Sequence, residues 1–216
     1  MNIKNVSHNE EERKEYYNED TQFLKLGVSS CILGSENHNH SGFATYREAG
    51  IKYAEFSCCH NLKQIGFYEN PEKIKKAAED NGVEFTSFHL PFSKTISFSN
   101  PEAETRKKAV EILKETVDAA TSIGIKLMVM HPSCSNYEFY SDRELLFNQC
   151  LSHIGEMAEY CENKGVILAV ENMTGKGLLG RPEEMIRCLK QYPTLKMCFD
   201  TNHCRHLLPR RILTHL

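Results

Sequence analysis

The stretch Gly165-Val166-Ile167-Leu168-Ala169-Val170-Glu171-Asn172 decides how the chain is read. A glycine opens it, an unbroken apolar run follows, and a carboxylate and an amide close it. A run this short and this uniformly apolar reads as a parallel strand covered on both faces, with only its C-terminal tip reaching a polar site. The pattern recurs at Ile51-Lys-Tyr-Ala-Glu55, Val83-Glu-Phe-Thr-Ser-Phe-His89, Ile125-Lys-Leu-Met-Val-Met-His131 and Leu195-Lys-Met-Cys-Phe-Asp200. Each run ends in a residue able to bind a metal or move a proton.

Gly50, Gly82, Gly124 and Gly165 each join a charged, helical stretch to one of these strands, the place for a glycine that closes a helix in the left-handed conformation. Their spacing is that of βα units. Helices are expected to start at Asn70-Pro71, at Asn100-Pro101, at a capping box Ser141-Asp-Arg-Glu144 and at Arg181-Pro182. Ala109, Ile112, Leu113, Thr116, Val117 and Ala120 form one apolar stripe at helical spacing, and Met185, Ile186 and Leu189 are expected to face inward. The first strand is expected over Phe23–Leu33, followed by a polar surface loop, Gly34–Gly42, whose His38 and His40 have a metal-binding tract as their alternative reading. Leu207–Leu216 could form a last short helix. Residues 1–20 read as a polar, disordered tail, and residues 21–216 as one unit without a linker.

Sequential right-handed βα units make a closed barrel or an open doubly wound sheet. Convergence of polar strand tips favours the barrel, where all C-terminal ends meet on one axis. No glycine-rich phosphate loop follows the first strand, which argues against a nucleotide-binding open sheet.

The 216 residues, 40% hydrophobic, suffice for a core without disulfides, and a net charge of −3 gives no general attraction to nucleic acid or an acidic membrane. No apolar run reaches the ~18 residues of a membrane span, and the polar start is unlike a signal peptide, so a cytoplasmic location is expected. The nine cysteines are odd in number and include no CxxC pair. They read mainly as small core side chains in a reducing compartment, with Cys58, Cys59, Cys134 and Cys204 near strand tips.

The segments Phe88-His89-Leu90-Pro91-Phe92, His131-Pro132-Ser133, Val170-Glu171-Asn172 and Phe199-Asp200-Thr201-Asn202-His203 together resemble the xylose isomerase-like TIM barrels. That superfamily holds sugar and sugar-phosphate isomerases and epimerases and the endonuclease IV type of abasic-site nuclease. The resemblance implies a (β/α)8 barrel in which Glu171 is a metal ligand and proton-transferring carboxylate and Asp200 is a second ligand. It also implies that His89 and His131 bind metal or line the pocket, and that His203 and Glu55 contact substrate. The cofactor would be a divalent ion, Mn²⁺, Mg²⁺, Co²⁺ or Zn²⁺, able to neutralise an enediolate while a carboxylate removes a proton from carbon.

Against that pattern, only Cys204–Leu216 follows His203, so strands seven and eight, with a further histidine and glutamate, are expected to be missing. The barrel is therefore expected to be incomplete, a fragment or a subunit completed by a partner chain or a second copy. Three functions fit: a metal-dependent sugar or sugar-phosphate isomerase or epimerase, an abasic-site phosphodiesterase, and a non-catalytic scaffold that keeps the half-site.

Overall fold

The computed structural model describes residues 26–34, 37–57, 62–134, 142–175 and 177–204. Six strands form one parallel sheet in sequence order: β1 (Gly27–Ser29), β2 (Tyr53–Ser57), β3 (Glu84–His89), β4 (Leu127–Met130), β5 (Ile167–Glu171) and β6 (Lys196–Cys198). Between them run α1 (His40–Glu48), α2 (Pro71–Glu79), α3 (Ala103–Ser122), α4 (Arg143–Asn163) and α5 (Pro182–Gln191). This is the succession of βα units read from the repeated runs.

The helix-to-strand joints form as expected. Gly50, Gly82, Gly124 and Gly165 have φ between 65° and 90°. At the first of them Gly50 N–H donates to Arg47 O and Ile51 N–H to Tyr46 O, which satisfies the last helical carbonyls and turns the chain into β2. Asn70 caps α2, its side chain accepting from Lys73 N–H with Pro71 in the first turn.

Other starts differ. Asn100-Pro101 makes a turn ahead of α3: Asn100 Oδ1 accepts from Glu102 N–H at 2.9 Å, and Arg106 holds the Asn100 and Pro101 carbonyls at 2.7 and 3.0 Å. At α4 the cap is Asp142, accepting from Leu145 N–H, while Ser141 lies outside the described residues. Ile186 faces solvent and Cys188 takes the buried position beside Met185, because α5 presents only a narrow stripe.

β1 is shorter than expected. Ser30–Leu33 form a 3-10 turn instead, and the Ser30 hydroxyl takes over the pairing, accepting from Ser57 N–H at 2.8 Å and donating to Ser57 O at 3.2 Å. His38 is not on a polar surface loop: it is buried, its Nε2 3.1 Å from Ser30 Oγ and its ring edge-on to Phe43 and Phe56. His40 is the first residue of α1. Phe23–Lys25, Cys58, Cys59, the tail and Leu207–Leu216 lie outside the described residues.

One layer of the core is aromatic. Phe56 packs against Phe67, Phe85 and Phe88, and Phe43 against Phe85, on the helix side of β2 and β3. Strict alternation would put Phe85 on the same side as Ser87 and His89. The β2–β3 register instead shifts between Ala54 and Glu55, pairing Ala54 with Phe85 but Glu55 with Ser87. The extra residue, Thr86, resets the phase, so Phe85 and Phe88 both reach the aromatic layer while His89 faces the opposite side. The stripe of α3 is buried against α4 and the sheet as its spacing requires, Ile112 alone being partly exposed.

Candidate metal and active site

The C-terminal ends of the strands surround a cavity of about 460 Å³ lined by Ser29, Glu55, Ser57, His89, Phe92, His131, Glu171, Cys198, Phe199, Asp200, Thr201 and His203. All six residues singled out from the sequence therefore meet at one place. Five sit at or just beyond strand ends: His89 closes β3, His131 follows β4, Glu171 closes β5, and Asp200 and His203 lie in the turn after β6. Glu55 is the middle residue of β2, paired with Ser29 and Ser87, because β2 runs on to Ser57. It is not a tip residue, though it reaches the same cavity.

Glu171 is the hub. Its Oε2 lies 3.3 Å from His89 Nε2 and 3.1 Å from His131 Nε2, and its Oε1 lies 3.2 Å from His203 Nδ1. Asp200 Oδ2 is 3.5 Å from the same His203 nitrogen. Two donor groups thus share Glu171, one with His89 and His131 and one with Asp200 and His203, each with ligand atoms within 4.8 Å of one another.

The hydrogen bonds fix what these nitrogens can be. His89 Nδ1 lies 3.0 Å from Leu90 O, which only accepts, so Nδ1 carries the proton. In the neutral ring Nε2 is then a lone pair directed at a carboxylate oxygen. Such a contact is favourable only with a proton or a cation between the two atoms. Among the described residues His131 Nδ1 is buried with no hydrogen-bond partner, and its Nε2 meets the same oxygen. Two imidazoles and a carboxylate are a donor set suited to a divalent ion such as Zn²⁺, and these residues fit one.

The electrostatics follow from crowding. Burial raises the Glu171 carboxyl, but hydrogen bonds and charge from His131 and His89 outweigh it and hold the group well below the usual carboxylate range. Burial lowers His131, with the hydrogen bond and charge of Glu171 opposing. Glu55 is raised, first by burial and further by Glu171, with His89 opposing. Cys198 is pushed up to about 11 by burial and the neighbouring carboxylates, which keeps it a thiol.

Asn172 stood in the sequence only as the amide that closes the β5 run. It instead binds the backbone of Asp200, and its own carbonyl accepts from His203 Nδ1 at 2.7 Å. Phe92, whose ring lies 4.0 Å from that of His131, and Cys198, two residues before Asp200, lie inside the strand-tip segments but carry no separate signal in the sequence.

Six parallel strands alternating with five helices, with ionisable side chains gathered at the strand C-termini, define a TIM-barrel-type protein with a carboxylate-histidine centre. The family model described as xylose isomerase-like TIM barrel matches residues 43–208, and the chain belongs to that family. Among curated proteins it is 23% identical over 182 residues to an uncharacterized protein of Methanocaldococcus jannaschii, covering 83% of this chain and 68% of that one. It is 29% identical over 139 residues to the probable endonuclease 4 of Acholeplasma laidlawii, covering 61% and 46%. Among solved structures, a D-psicose 3-epimerase studied in the presence of D-fructose aligns with a TM-score of 0.70 at 18% identity, covering 85% of this chain and 65% of that one. A 3-keto-D-glucoside 4-epimerase from E. coli aligns at 0.68 and 14% identity, covering 84% and 70%. These structures share the fold. The chain spans just under half the length of the endonuclease 4 relative and about two thirds of the first epimerase. No helix among the described residues is long and apolar enough to cross a membrane.

Proposed function

We propose that the Glu171 cluster holds a divalent metal ion and that this chain carries the metal-binding side of an isomerase or epimerase acting on a sugar or sugar phosphate. The observation that carries the reading is the meeting of two imidazole nitrogens on one carboxylate oxygen at the ends of three adjacent strands. The fold shared with sugar epimerases supports the substrate class.

His89, His131 and Glu171 would hold the ion on one side, with Asp200 towards the other oxygen of Glu171 and His203 hydrogen-bonded beside it. When bound, the ion supplies Lewis-acid stabilisation of an oxyanion beside the reacting carbon. Glu171, ionised and held at low proton affinity, serves as a ligand better than as a base. Glu55 shares the cavity with its carboxyl shifted towards neutrality, and is the group better matched to taking and returning a proton. Phe92 walls the cavity on the His131 side.

A second reading, phosphodiester hydrolysis at abasic sites, is favoured by the two-histidine, one-glutamate set, a combination that hydrolytic zinc sites use, and by the relatives called probable endonuclease 4. The net charge of −3 weighs against a nucleic-acid substrate.

Thermal melts with and without Mn²⁺, Co²⁺ or Zn²⁺ test the site, because an ion that binds only the folded form raises its stability. The wild type should gain and the Glu171→Gln/Asp200→Asn double variant should not; equal gains would rule the site out. Exchange of sugar C–H hydrogen with solvent deuterium, against nicking of a duplex with one abasic site, separates the two reactions. Nicking without exchange would replace the first reading with the second.

A further inference from the structure

The ladder between β5 and β6 ends at the pair Glu171 and Cys198, with Asn172 N–H still reaching Cys198 O at 3.3 Å. Beyond it the backbone after β6 has no strand neighbour among the described residues, yet Asp200 is held in register. Its N–H donates to Asn172 Oδ1 at 2.7 Å, and its carbonyl accepts from Asn172 Nδ2 at 2.9 Å. The side-chain amide thus offers Asp200 one acceptor and one donor, as a strand backbone would. The second Nδ2 hydrogen faces Cys204 Sγ at 3.4 Å, and the Asn172 side is buried.

We infer that Asn172 is a positioning residue that sets Asp200 and His203 against Glu171 by acting as a side-chain rung of the sheet. The inference deepens the metal reading and rests on it only for its consequence for affinity. With Asp200 fixed, its Oδ1 accepts from Asn202 N–H at 2.6 Å and His203 N–H at 3.3 Å, which tightens the turn and leaves Oδ2 towards the His203 ring. The backbone carbonyl of residue 172, which any residue type supplies, then accepts from His203 Nδ1 at 2.7 Å and fixes the ring with its Nδ1 protonated, so the side-chain amide acts on the ring only through the turn it holds. The side-chain amide therefore sets the Asp200 carboxylate directly and, through the turn to His203, keeps the imidazole within reach of the residue 172 backbone carbonyl on the Oε1 side of Glu171.

The chemistry requires asparagine. Aspartate keeps the acceptor but places a second oxygen against the Asp200 carbonyl, alanine removes both bonds, and glutamine moves the amide out by a methylene. Ser30 does similar work between β1 and β2, its hydroxyl taking Ser57 N–H and O where that ladder ends. The two outer joints of the sheet are both continued by side chains, and both lead into the cavity.

The test uses the whole chain as wild type, Asn172→Ala and Asn172→Asp. Co²⁺ affinity is read by competition and by the visible spectrum, and the His203 tautomer of the metal-free protein by imidazole nitrogen chemical shifts. Loss of an orienting partner of this kind costs about 10- to 100-fold in metal affinity. Both variants should show that loss, and His203 should change from one Nδ1-protonated tautomer to a mixture without metal. Wild-type affinity and an unchanged His203 tautomer in both variants would overturn the inference. If the wild type fails to bind Co²⁺ while His203 still loses its fixed tautomer in the variants, the positioning stands and the metal reading falls. Asn172→Asp, nearly isosteric, decides the matter should Asn172→Ala not fold.

Discussion

Replacing Glu184 by alanine should destabilise the protein by about 3 kcal/mol and loosen the wall of the site. Arg143, the first residue of α4, donates through Nε to Glu184 Oε1 at 2.6 Å and through an Nη to Oε2 at 2.9 Å. The same Nη holds the Gly177 carbonyl at 2.7 Å, and Glu184 Oε2 accepts from Leu179 N–H at 2.8 Å. Leu179 has φ 61°, a left-handed conformation uncommon for a branched side chain, and is buried. The ion pair therefore pins a strained loop whose Met173, Thr174 and Gly177 line a chamber next to His131 and His203. Removing one partner of a buried pair costs about 3 to 5 kcal/mol because the other charge stays behind. The Arg143 side chain is 22% exposed and Glu184 only 11%, so water partly relieves the stranded guanidinium and the lower end applies. At roughly 2 to 4 °C per kcal/mol for a chain of this size, Tm should fall by about 6 to 12 °C. Urea unfolding gives the free energy, and hydrogen exchange should show amides 177–180 opening sooner. The Arg143→Met/Glu184→Leu double variant, which leaves no buried charge, should recover most of the loss. A Glu184→Ala loss under about 1 kcal/mol, or a double variant as weak as the single one, would refute the reasoning.

The metal-free protein should lose stability as pH falls below about 6.5, the ordinary histidine value. Burial lowers both His131 and His153, the latter with Arg106 adding, so the unfolded chain takes up their protons before the folded one does. Stability is full above the unfolded value and declines towards the lowered folded values by at most ~1.4 kcal/mol per pH unit for each group; flat stability between pH 7 and 5 would contradict this. Among the described residues β1 pairs only with β2 and β6 only with β5, and Leu26, 88% exposed, and Phe199, 63% exposed, lie beside these two edges. Unpaired edges flanked by apolar side chains favour association, so sedimentation equilibrium should show self-association that Phe199→Ser weakens. A monomer at every concentration would remove that expectation.

What the sequence showed and what it hid follow from the range of the interactions. The βα succession was legible because a glycine closing a helix and an apolar strand are local signals, and Gly50, Gly82, Gly124 and Gly165 all adopt the conformation expected of them. Gathering of the site residues was legible because strands of one parallel sheet end on the same side. The cap at Asp142 was missed since several residues nearby have capping side chains and only the packed helix selects one. Burial of His38 was invisible because it depends on Ser30 and Phe56, each brought close by the sheet. Ile186 was misjudged for a similar reason: helical spacing names a stripe but not its width.

The hardest feature to read was the phase of β3, and the site depends on it. Written as alternating positions, Phe85, Ser87 and His89 belong to one face, and a bulky ring would then stand under the cavity beside Glu55. The aromatic layer supplies the force that prevents this. Phe85 gains edge contacts with Phe43 at 5.6 Å and Phe56 at 5.2 Å between ring centroids, while Phe88 stacks on Phe56 at 5.0 Å. Each such pair contributes about 0.5 to 1.5 kcal/mol beyond burial, enough together to offset one lost ladder contact at Thr86 of about 1 kcal/mol. The irregularity leaves Ser87 and His89 on the polar side, with His89 paired to Ser57 and within reach of Glu171. The orientation of one histidine of the centre is thus set by rings on the other face of the sheet, a coupling that no motif around His89 encodes.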